Sequence, residues 1–564
     1  MLKSLGTAIV VGMVGVVAAQ NASLPTVDLG YEIYRASAFN ETGRFYNFSN
    51  IRYAAPPVGE LRFAPPASPE ENRTAVQSGG AGRICPQAEP AWLSSAVDVL
   101  IDLALGVQPN ATTAYVPPGA NSSSQVLAPG PLETEDCLFL DVYVPEQIFN
   151  SNGTGSYNST NGSAVMVWIY GGGYAAGDKY TNPAGLLAAS GNSSFGDVIH
   201  VAMNYRLGAL GWTAGPGYQA EGGVSNLGLH DQRFALEWVQ NNIHLFGGDK
   251  DRVTIFGESA GGGSIMHQIT AYGGEKGPVP FQQAVPQSPG WQPMSSQLAQ
   301  QNTYDKFLNL TNSSSLADLR ALTSEQVIRA NAQQVLYDSS YGGYTYGPAI
   351  DGNFVPLQPG QLLAQGRFDK NVKVMVGHNA DEGALFTPAY SKSTETLRNH
   401  TAASFINIPE QSLDYITDVL YPAVFDGSYG YTTEFGRADL ITSESVFTCN
   451  TNYLSTAFGN KTYSYLFSVP PAFHSLDVAY TYYTGGALAA NALTGVVNRT
   501  VAIALQDFIT SFAINGVPEA KGIRKFDMYG ANAQVLELNA TSIEEVTDSN
   551  SGPRCKWWQL ALYS

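Results

Sequence analysis

The sequence predicts an α/β protein with a large, mostly parallel central sheet that helices cover on both faces. Short apolar runs rich in β-branched residues, bounded by Gly, Asn or Asp, recur at residues 165–170, 198–204, 253–256 and 372–376. Between the second and third runs, Leu236, Val239 and Ile243 stand at helical spacing. Buried strands that alternate with helices favour a parallel sheet, because each crossover places a helix against it.

Length and composition describe a folded, weakly charged chain. The 564 residues are 44% hydrophobic and only 13% charged, which excludes disorder, coiled coil and collagen. The formal net charge of −18 would repel nucleic-acid phosphate and anionic membranes, so we expect no nucleic-acid partner. The chain has no repeat of fixed period, and large α/β units commonly exceed the usual domain length. We predict one domain over residues 20–564.

The N-terminus has the pattern of a signal peptide over residues 1–19. Lys3 precedes the apolar run 8–17, and Val17 and Ala19 occupy the small-residue positions that signal peptidase requires. The run is shorter than the roughly 20 residues that cross a bilayer, so a membrane anchor is disfavoured. We therefore predict cleavage after Ala19, a secreted protein and no stable membrane insertion.

A dense set of Asn-x-Ser/Thr acceptors agrees with export and predicts a glycosylated surface. The acceptors are Asn21, Asn40, Asn47, Asn72, Asn110, Asn121, Asn152, Asn158, Asn161, Asn192, Asn309, Asn312, Asn399, Asn460, Asn498 and Asn539.

The four cysteines are even in number and far apart, which in an oxidising compartment suggests two disulfides. They are Cys85, Cys137, Cys449 and Cys555. Their spacing matches no zinc pattern, so we expect no metal site.

The sharpest local signal is the pentapeptide Gly257-Glu258-Ser259-Ala260-Gly261. It follows the predicted strand 253–256 and precedes a plausible helix through Ile265 and Ile269. A serine on a strand-to-helix turn has a strained backbone, and the flanking glycines leave room for it. The pattern therefore predicts Ser259 as a nucleophile.

A serine that attacks an ester carbonyl needs donors for the oxyanion that forms. One donor is expected from the amide after the serine, Ala260. The glycine run 171–173 follows the strand 165–170, so its amides could approach a substrate oxygen unobstructed by side chains. Three glycines usually mark a surface turn, but their place after an earlier strand makes that interpretation less favourable.

Chain order narrows the choice of a base. In this kind of fold the serine comes first, then the acid, then the histidine. His474, in a loop after the strand-like residues 463–469, satisfies this order. The other histidines precede Ser259, lie on its own helix or stand beside the candidate acid. His400 falls inside a sequon, where we expect sugar and solvent. For the acid, spacing alone does not choose between Asp381 and Glu382.

With these residues in view, the sequence resembles the type-B carboxylesterase/lipase family, the cholinesterase-like α/β-hydrolases, and above all its secreted fungal members. The resemblance covers nearly the whole mature chain. It rests on residues 51–59 (IRYAAPPVG), 61–63 (LRF), 135–140 (EDCLFL), 168–174 (WIYGGGY), 204–208 (NYRLG), 231–233 (DQR), 246–249 (FGGD) and the Ser259 pentapeptide.

The resemblance implies roles for individual residues. Ser259 would be the nucleophile, His474 the base, and Glu382 rather than Asp381 the acid. The oxyanion donors would be Gly172, Gly173 and Ala260, and the implied disulfides are Cys85–Cys137 and Cys449–Cys555. We also expect Tyr174 and Trp291 to line the substrate pocket.

The chain departs from the family pattern at Ser475, where Gly is usual, at Asp477, where Glu is common, and at Lys250, where Pro is frequent. The loop between Cys85 and Cys137 carries an apolar segment, 91–107, that would be either a lid or an ordinary packed helix. Trp92 lies too near Cys85 to match the choline-binding tryptophan of cholinesterases, so a choline substrate is disfavoured.

These features predict a secreted, glycosylated serine carboxylic ester hydrolase that acts on hydrophobic esters through an acyl-enzyme, with no metal or organic cofactor. One alternative is a dedicated esterase of a secondary-metabolite pathway. The other is a non-catalytic, neuroligin-like binding protein on the same fold, which the presence of Ser259 disfavours.

Overall fold

The computed structural model describes residues 24–80, 82–109, 128–150, 162–191, 196–294 and 296–563. The predicted signal peptide (1–19) lies outside these ranges. So do seven of the predicted glycosylation sites, namely Asn21, Asn110, Asn121, Asn152, Asn158, Asn161 and Asn192.

The strands are β1 (Thr26–Asp28), β2 (Ile33–Arg35), β3 (Ala38–Asn40), β4 (Phe45–Arg52), β5 (Val76–Gln77), β6 (Phe139–Pro145), β7 (Ser163–Ile169), β8 (Val198–Met203), β9 (Gly248–Glu258), β10 (Gln283–Gln287), β11 (Lys373–Asn379), β12 (Tyr463–Phe467), β13 (Gln534–Leu538) and β14 (Ile543–Thr547).

The α-helices are α1 (Leu93–Ala104), α2 (Glu146–Asn150), α3 (Ala184–Gly191), α4 (Gly208–Trp212), α5 (Pro216–Ala220), α6 (Leu227–Asn242), α7 (Ala260–Ile269), α8 (Gln297–Leu310), α9 (Leu316–Ala321), α10 (Ser324–Asp338), α11 (Pro359–Ala364), α12 (Thr394–Ser404), α13 (Glu410–Tyr415), α14 (Glu434–Ser443), α15 (Cys449–Ala457), α16 (Leu476–Thr481), α17 (Arg499–Asn515) and α18 (Pro553–Gln559). Two π-helical turns span Ile416–Leu420 and Glu444–Thr448. Short 3₁₀ turns span Gly59–Leu61, Ile243–Phe246, Ala271–Gly274, Ala384–Phe386, Ala492–Thr494 and Ser549–Ser551.

Eleven strands form one sheet in the order β14-β13-β12-β11-β10-β9-β7-β8-β6-β4-β3. The seven strands from β13 to β8 run parallel, and antiparallel strands extend the sheet at both edges. Helices flank the sheet: α3 and α17 pack together beside β7 and β8, and α6 and α7 pack together beside β9. The predicted α/β class is confirmed, while the sheet is more mixed than the sequence predicted. A separate three-stranded sheet joins β1, β2 and β5.

The predicted parallel strands correspond to β7, β8, β9 and β11, and the predicted helix corresponds to α6. All six residues of β8 are buried, as expected of a central parallel strand. The antiparallel strands β3, β4 and β14 were not predicted from the sequence. β4 mixes buried and accessible positions, and β3 and β14 have no fully buried residue, so all three lack the continuous apolar signature of the central strands.

Several motifs that carry the family resemblance form buried ion pairs. Arg62 and Glu135 meet at 2.6 Å, and Arg206 and Asp231 meet at 2.7 Å, with all four side chains almost fully buried. A buried charge is tolerated only when it is paired, so each motif requires its partner elsewhere in the chain. These ion-paired motifs therefore fix long-range packing, whereas the serine pentapeptide and the glycine run are part of the candidate site.

Disulfides join Cys85 to Cys137 and Cys449 to Cys555, which are the pairings that the family resemblance implies. The first disulfide closes the loop that contains α1, and the second ties α15 to α18. Across the described ranges, no helix is both long enough and apolar enough to cross a bilayer.

Candidate active site

The site lies where four central strands end. The glycine run 171–173 follows β7, Ser259 follows β9, Glu382 follows β11 and His474 follows β12. Because the carboxyl ends of parallel strands lie at the same edge of a sheet, these loops converge there, which is where open α/β sheets place their ligands.

Ser259 occupies a sharp turn between β9 and α7, with φ 58° and ψ −123°. This left-handed backbone is rare for a residue with a side chain. The Ser259 amide donates to the carbonyl of Gln287 at 3.0 Å, and the Ser259 carbonyl accepts from Gly263 at 2.8 Å. A Cβ on Gly257 or Gly261 would lie only 2.3 or 2.0 Å from the carbonyl oxygen of Ile169. Both glycines are therefore required by close backbone packing.

A continuous chain of hydrogen bonds joins three of the predicted residues. Oγ of Ser259 lies 2.9 Å from Nε2 of His474, and Nδ1 of His474 lies 2.5 Å from Oε2 of Glu382. The three side chains come from separate loops, and Glu382 and His474 alone are more than 90 residues apart in the chain. A hydroxyl, an imidazole and a carboxylate in this order can transfer a proton from the hydroxyl to the imidazole.

The two adjacent carboxylates have different surroundings. Glu382 is fully buried, and its Oε1 accepts hydrogen bonds from the Ser288 hydroxyl at 2.7 Å and the Asn379 amide at 2.5 Å. Asp381 instead shares a hydrogen bond with Asp439. Of the two carboxylates, the structure therefore places Glu382 against the imidazole.

The glycine run forms a tight loop directly beside Ser259. Gly172 has φ 99°, and a Cβ there would lie 2.3 Å from the carbonyl oxygen of Ala176. Gly173 has φ 60°, and a Cβ there would lie 2.1 Å from the ring of Tyr344. Within the described part of the chain, the amides of Gly172, Gly173 and Ala260 donate no hydrogen bond, so they remain available to an oxygen atom in the site.

Buried charges shift the titration of the central residues. Burial alone would lower the pKa of His474, but the carboxylates of Glu258 and Glu382 more than offset it and raise this pKa to about 9. Burial would raise the pKa of Glu382, but the charge and the hydrogen bond of His474 hold it below its ordinary value. Each partner thus stabilises the charged form of the other, as a base that must hold a proton during turnover requires.

A second carboxyl group lies on the other side of the imidazole. Oε1 of Glu258 is 3.3 Å from Nε2 of His474 and accepts a hydrogen bond of 2.5 Å from the hydroxyl of Ser475. Burial raises the pKa of Glu258 to about 8, against the opposing effect of His474. Ser475 is one of the positions at which the chain departs from the family pattern.

A cavity of about 40 Å³ contains Ser259 and Ala260 in its wall. Both predicted pocket residues, Tyr174 and Trp291, line it, together with the rings of Tyr344, Phe386 and Phe447. The ring centroids of Phe386 and Phe447 lie 5.1 and 4.4 Å from that of His474. The two rings therefore shield the imidazole from solvent.

The sequence suggested that His400 would face solvent because it lies inside a sequon, and this was wrong. Asn399 is exposed, but His400 is only 6% exposed and lines the same cavity. The sequon lies on α12, and successive residues of a helix point in directions about 100° apart, so one can face solvent while the next faces the cavity.

The apolar segment that would be either a lid or a packed helix forms helix α1. Trp92 precedes it, is fully buried and donates through Nε1 to the carbonyl of Gly343 at 2.7 Å. Its ring packs against Tyr341, Tyr344 and Phe386, next to the cavity. Leu105 and Val107, at the far end of the helix, are exposed.

The comparisons with known proteins agree with this geometry. Residues 34–558 match the sequence model of the carboxylesterase family. The chain belongs to this family. The predicted resemblance is thereby confirmed, and the protein is a carboxylic ester hydrolase with an α/β-hydrolase fold.

Two relatives span most of this carboxylesterase. Carboxylesterase patB of Penicillium expansum is 40% identical over 95% of this chain and 96% of its own. Lipase 2 of Geotrichum candidum is 31% identical over 79% of each chain. Among solved structures, EstA of Aspergillus niger superposes with a TM-score of 0.77 at 24% identity, over 96% of this chain and 99% of its own.

Several residues around the site were not predicted from the sequence. Ser288, which holds Glu382, and Phe447, which covers His474, lie in segments without a recognisable pattern. The sequence did mark two further positions, because Glu258 lies inside the serine motif and Ser475 departs from the family pattern. Their contact with each other is visible only in the structure.

Proposed function

We propose that this carboxylesterase is a secreted serine esterase in which Ser259, His474 and Glu382 act together. The observation that carries the proposal is the unbroken hydrogen-bond chain from Ser259 through His474 to Glu382. Glu382 orients the imidazole so that Nε2 presents its lone pair to the hydroxyl of Ser259.

The reaction proceeds in two half-reactions. Oγ of Ser259 bonds to the ester carbonyl carbon while its proton passes to Nε2 of His474. The amides of Gly172, Gly173 and Ala260 stabilise the resulting oxyanion. The bond from carbon to the alcohol oxygen then breaks, and the alcohol leaves with the proton from Nε2. Water repeats the sequence on the acyl-enzyme, giving its proton to His474 and releasing the acid and free Ser259.

The cavity supports a compact, hydrophobic acyl group. Its volume of about 40 Å³ is a few times the minimum that holds one water molecule, and aromatic rings form its wall near Ser259. A larger cavity of about 530 Å³ adjoins it and shares Gln292, Tyr344 and Ser404. Amide and hydroxyl side chains dominate its lining, so we propose that it receives the more polar alcohol portion of the substrate.

The proposal includes secretion and glycosylation, supported by the N-terminal pattern, the two disulfides and the similarity to a secreted lipase of Arthroderma benhamiae. The sequons differ in their surroundings. Asn72, Asn309, Asn312 and Asn399 are exposed. The Nδ2 atoms of Asn498 and Asn539 instead donate to the backbone carbonyls of Ala540 and Ser468. We expect glycopeptide mass spectrometry to find sugar at the first group and little at the second.

Two measurements on purified protein test the catalytic assignment. A fluorophosphonate should bond to Oγ of Ser259 with loss of fluoride, and peptide mass spectrometry should find the adduct on that residue. Ser259→Ala should abolish both labelling and hydrolysis of nitrophenyl esters while the melting temperature stays within a few degrees of wild type. Wild-type turnover in this variant would reject the assignment.

A dedicated esterase of a secondary-metabolite pathway is the second candidate. Identity to a carboxylesterase, at 40%, exceeds identity to the Geotrichum lipase, at 31%, and the small cavity suits one compact substrate. Long-chain triglyceride hydrolysis would favour a digestive lipase instead, whereas activity confined to short esters would favour this candidate.

A further inference from the structure

The cavity beside Ser259 has two chemically different ends. Aromatic rings line the end near Ser259. The other end is built from α12, α14 and the π-helical turn Glu444–Thr448. It includes the apolar Phe405, Ile441 and Val446 and five polar residues, which are His400, Thr401, Ser404, Thr442 and Ser445. None of these polar residues has a part in the proposed chemistry.

His400 is the unusual member of this polar end. Its Nε2 is fully enclosed and has no hydrogen-bond partner among the described residues. Burial lowers the pKa of His400 to about 4, so the ring is neutral at physiological pH, with one nitrogen that donates and one that accepts. An enclosed polar atom without a partner is costly, and native proteins contain few of them. Because Nε2 is enclosed, the nitrogen that a ligand in the cavity can reach is Nδ1, which likewise has no hydrogen-bond partner among the described residues.

The neighbouring hydroxyls limit what that ligand group can be. Those of Thr401, Ser404 and Thr442 donate to backbone carbonyls of their own helices at 3.0 to 3.1 Å. Their protons are therefore engaged, and the oxygens that remain can only accept. No lysine or arginine is among the described residues that line this cavity, so an anionic group would find no counter-charge.

We propose that the polar end of the cavity binds a hydroxyl group of the ester substrate and that His400 is the residue that recognises it. A hydroxyl both donates and accepts, so it satisfies the neutral imidazole and the surrounding oxygens together, whereas a carboxylate only accepts. This proposal rests on the proposed function, because it assigns the cavity to the substrate of Ser259. It makes the substrate an ester that carries a free hydroxyl at a distance from the reacting carbonyl.

Two matched pairs of esters test the proposal. The acyl pair is 4-nitrophenyl butanoate and 4-nitrophenyl 3-hydroxybutanoate. The alcohol pair is propyl butanoate and the monobutanoate of 1,3-propanediol. We expect the wild-type enzyme to have the higher kcat/KM for the hydroxylated member of the acyl pair, because the proposed function places the acyl group in this cavity. A preference confined to the alcohol pair would instead place the alcohol portion of the ester there.

The decisive variant is His400→Leu, which has a similar volume and keeps the Asn399 sequon intact. It should reduce the ratio of kcat/KM for the hydroxylated ester to kcat/KM for the plain ester about tenfold, the equivalent of one lost hydrogen bond. His400→Gln, which retains a donor and an acceptor, should keep most of the preference. Thr442→Val removes an acceptor from the same end and should also weaken the preference. This variant provides an independent test if His400→Leu does not fold.

His230 provides a matched control. Its Nε2 is also buried without a partner among the described residues, but it does not line this cavity. His230→Leu should therefore leave the ester preference unchanged.

The stability of His400→Leu is a separate expectation. Because the substitution removes an unsatisfied imidazole, the melting temperature of His400→Leu should equal or exceed that of wild type.

The outcomes separate this proposal from the proposed function. An unchanged preference in His400→Leu, an equal loss for plain and hydroxylated esters, or no wild-type preference in either pair would overturn the role of His400. Failure of the wild-type enzyme to hydrolyse the plain nitrophenyl ester would instead reject the proposed function.

Discussion

The hydroxyl of Ser475 donates a hydrogen bond of 2.5 Å to Oε1 of Glu258, the carboxyl oxygen that lies 3.3 Å from Nε2 of His474. Because a carbonyl oxygen accepts a hydrogen bond more strongly than a carboxylic hydroxyl, the bond from Ser475 favours the proton of Glu258 on Oε2 rather than on Oε1 beside Nε2. The lone pair of Nε2 is therefore left to the hydroxyl of Ser259. Ser475 adopts φ 68° to make this contact, a left-handed backbone that favours glycine.

Replacement of Ser475 by glycine tests the role of the hydroxyl without changing the backbone conformation. Glycine adopts the same φ without strain, so the free energy of unfolding of Ser475→Gly should lie within about 1 kcal/mol of the wild-type value. The freed Glu258 should compete with Ser259 for Nε2 and lower kcat about tenfold, with little change in KM. Steady-state kinetics and thermal denaturation provide both measurements.

Ala533→Gly is the matched control for Ser475→Gly. Ala533 also has a positive φ, 51°, but it lies in the turn before β13, where its backbone bonds to Gly530 and Asp548 rather than to residues of the site. The same backbone change there should leave kcat unaltered. A Ser475→Gly enzyme that also retained wild-type kcat would show that the hydroxyl does not position Glu258.

The pH dependence of kcat/KM should have its acid limb at a higher pH than an ordinary histidine would give. Carboxylates favour the protonated imidazole and raise the pKa of His474 to about 9, so the neutral base becomes available only as the pH rises through that value. Glu258, Glu382 and Asp477 are the charged groups responsible. Glu258→Gln removes one of these charges and should move the acid limb to lower pH, as pH–rate profiles would record.

The control for this pH measurement is Glu237→Gln, which removes an exposed carboxylate on α6, away from the cavity. Solvent screens such a charge, so its removal should leave the profile in place. An equal displacement by both variants would assign the effect to net charge rather than to the site.

Glu382→Gln should reduce kcat by several powers of ten, while Asp381→Asn should change it only a few-fold. The amide of glutamine cannot stabilise the positively charged imidazole, and it accepts the Nδ1 proton in only one of its two orientations. Asp381 lies next in the chain but contacts Asp439 rather than His474. The reverse ranking in nitrophenyl ester assays would assign the acid to Asp381.

Phe447 should limit the length of the acyl chain. Its ring lines the cavity and packs against both His474 and Phe386. Phe447→Leu should shift the preferred nitrophenyl ester to a longer acid by one or two carbons and cost about 1 to 2 kcal/mol of stability, since the smaller side chain leaves space. An unchanged chain-length profile would place the acyl group elsewhere.

The sequence predicted the central part of this fold because its strands are buried on both faces. β7, β8, β9 and β11 read as continuous apolar runs, and the serine motif marks the end of one of them. The outer strands depend on pairing with neighbours that are distant in the chain, and their residues carry no comparable signal.

The same distinction applies to the site. Ser259 and the glycine run could be identified because a strained or crowded backbone restricts the residue type, which leaves a pattern in the sequence. His400 could not be placed, since its burial follows from how α12 packs over the cavity, and its sequon suggested the opposite. Asp381 and Glu382 were separable only by the family resemblance, because adjacent residues share the same local pattern.

The carboxyl pair of Asp381 and Asp439 should make stability depend on pH next to the site. Burial raises the pKa of Asp381 to about 6, and burial together with Asp381 raises the pKa of Asp439 well above its ordinary value. A carboxyl group whose pKa is raised by folding stabilises the folded protein while it is protonated, and this contribution is lost as the pH rises from about 4 through the folded value. Asp381→Asn keeps a neutral side chain at every pH, so its melting temperature should equal that of wild type near pH 4 and exceed it at pH 8. A difference that is the same at both pH values would show that the two carboxyl groups titrate independently of folding.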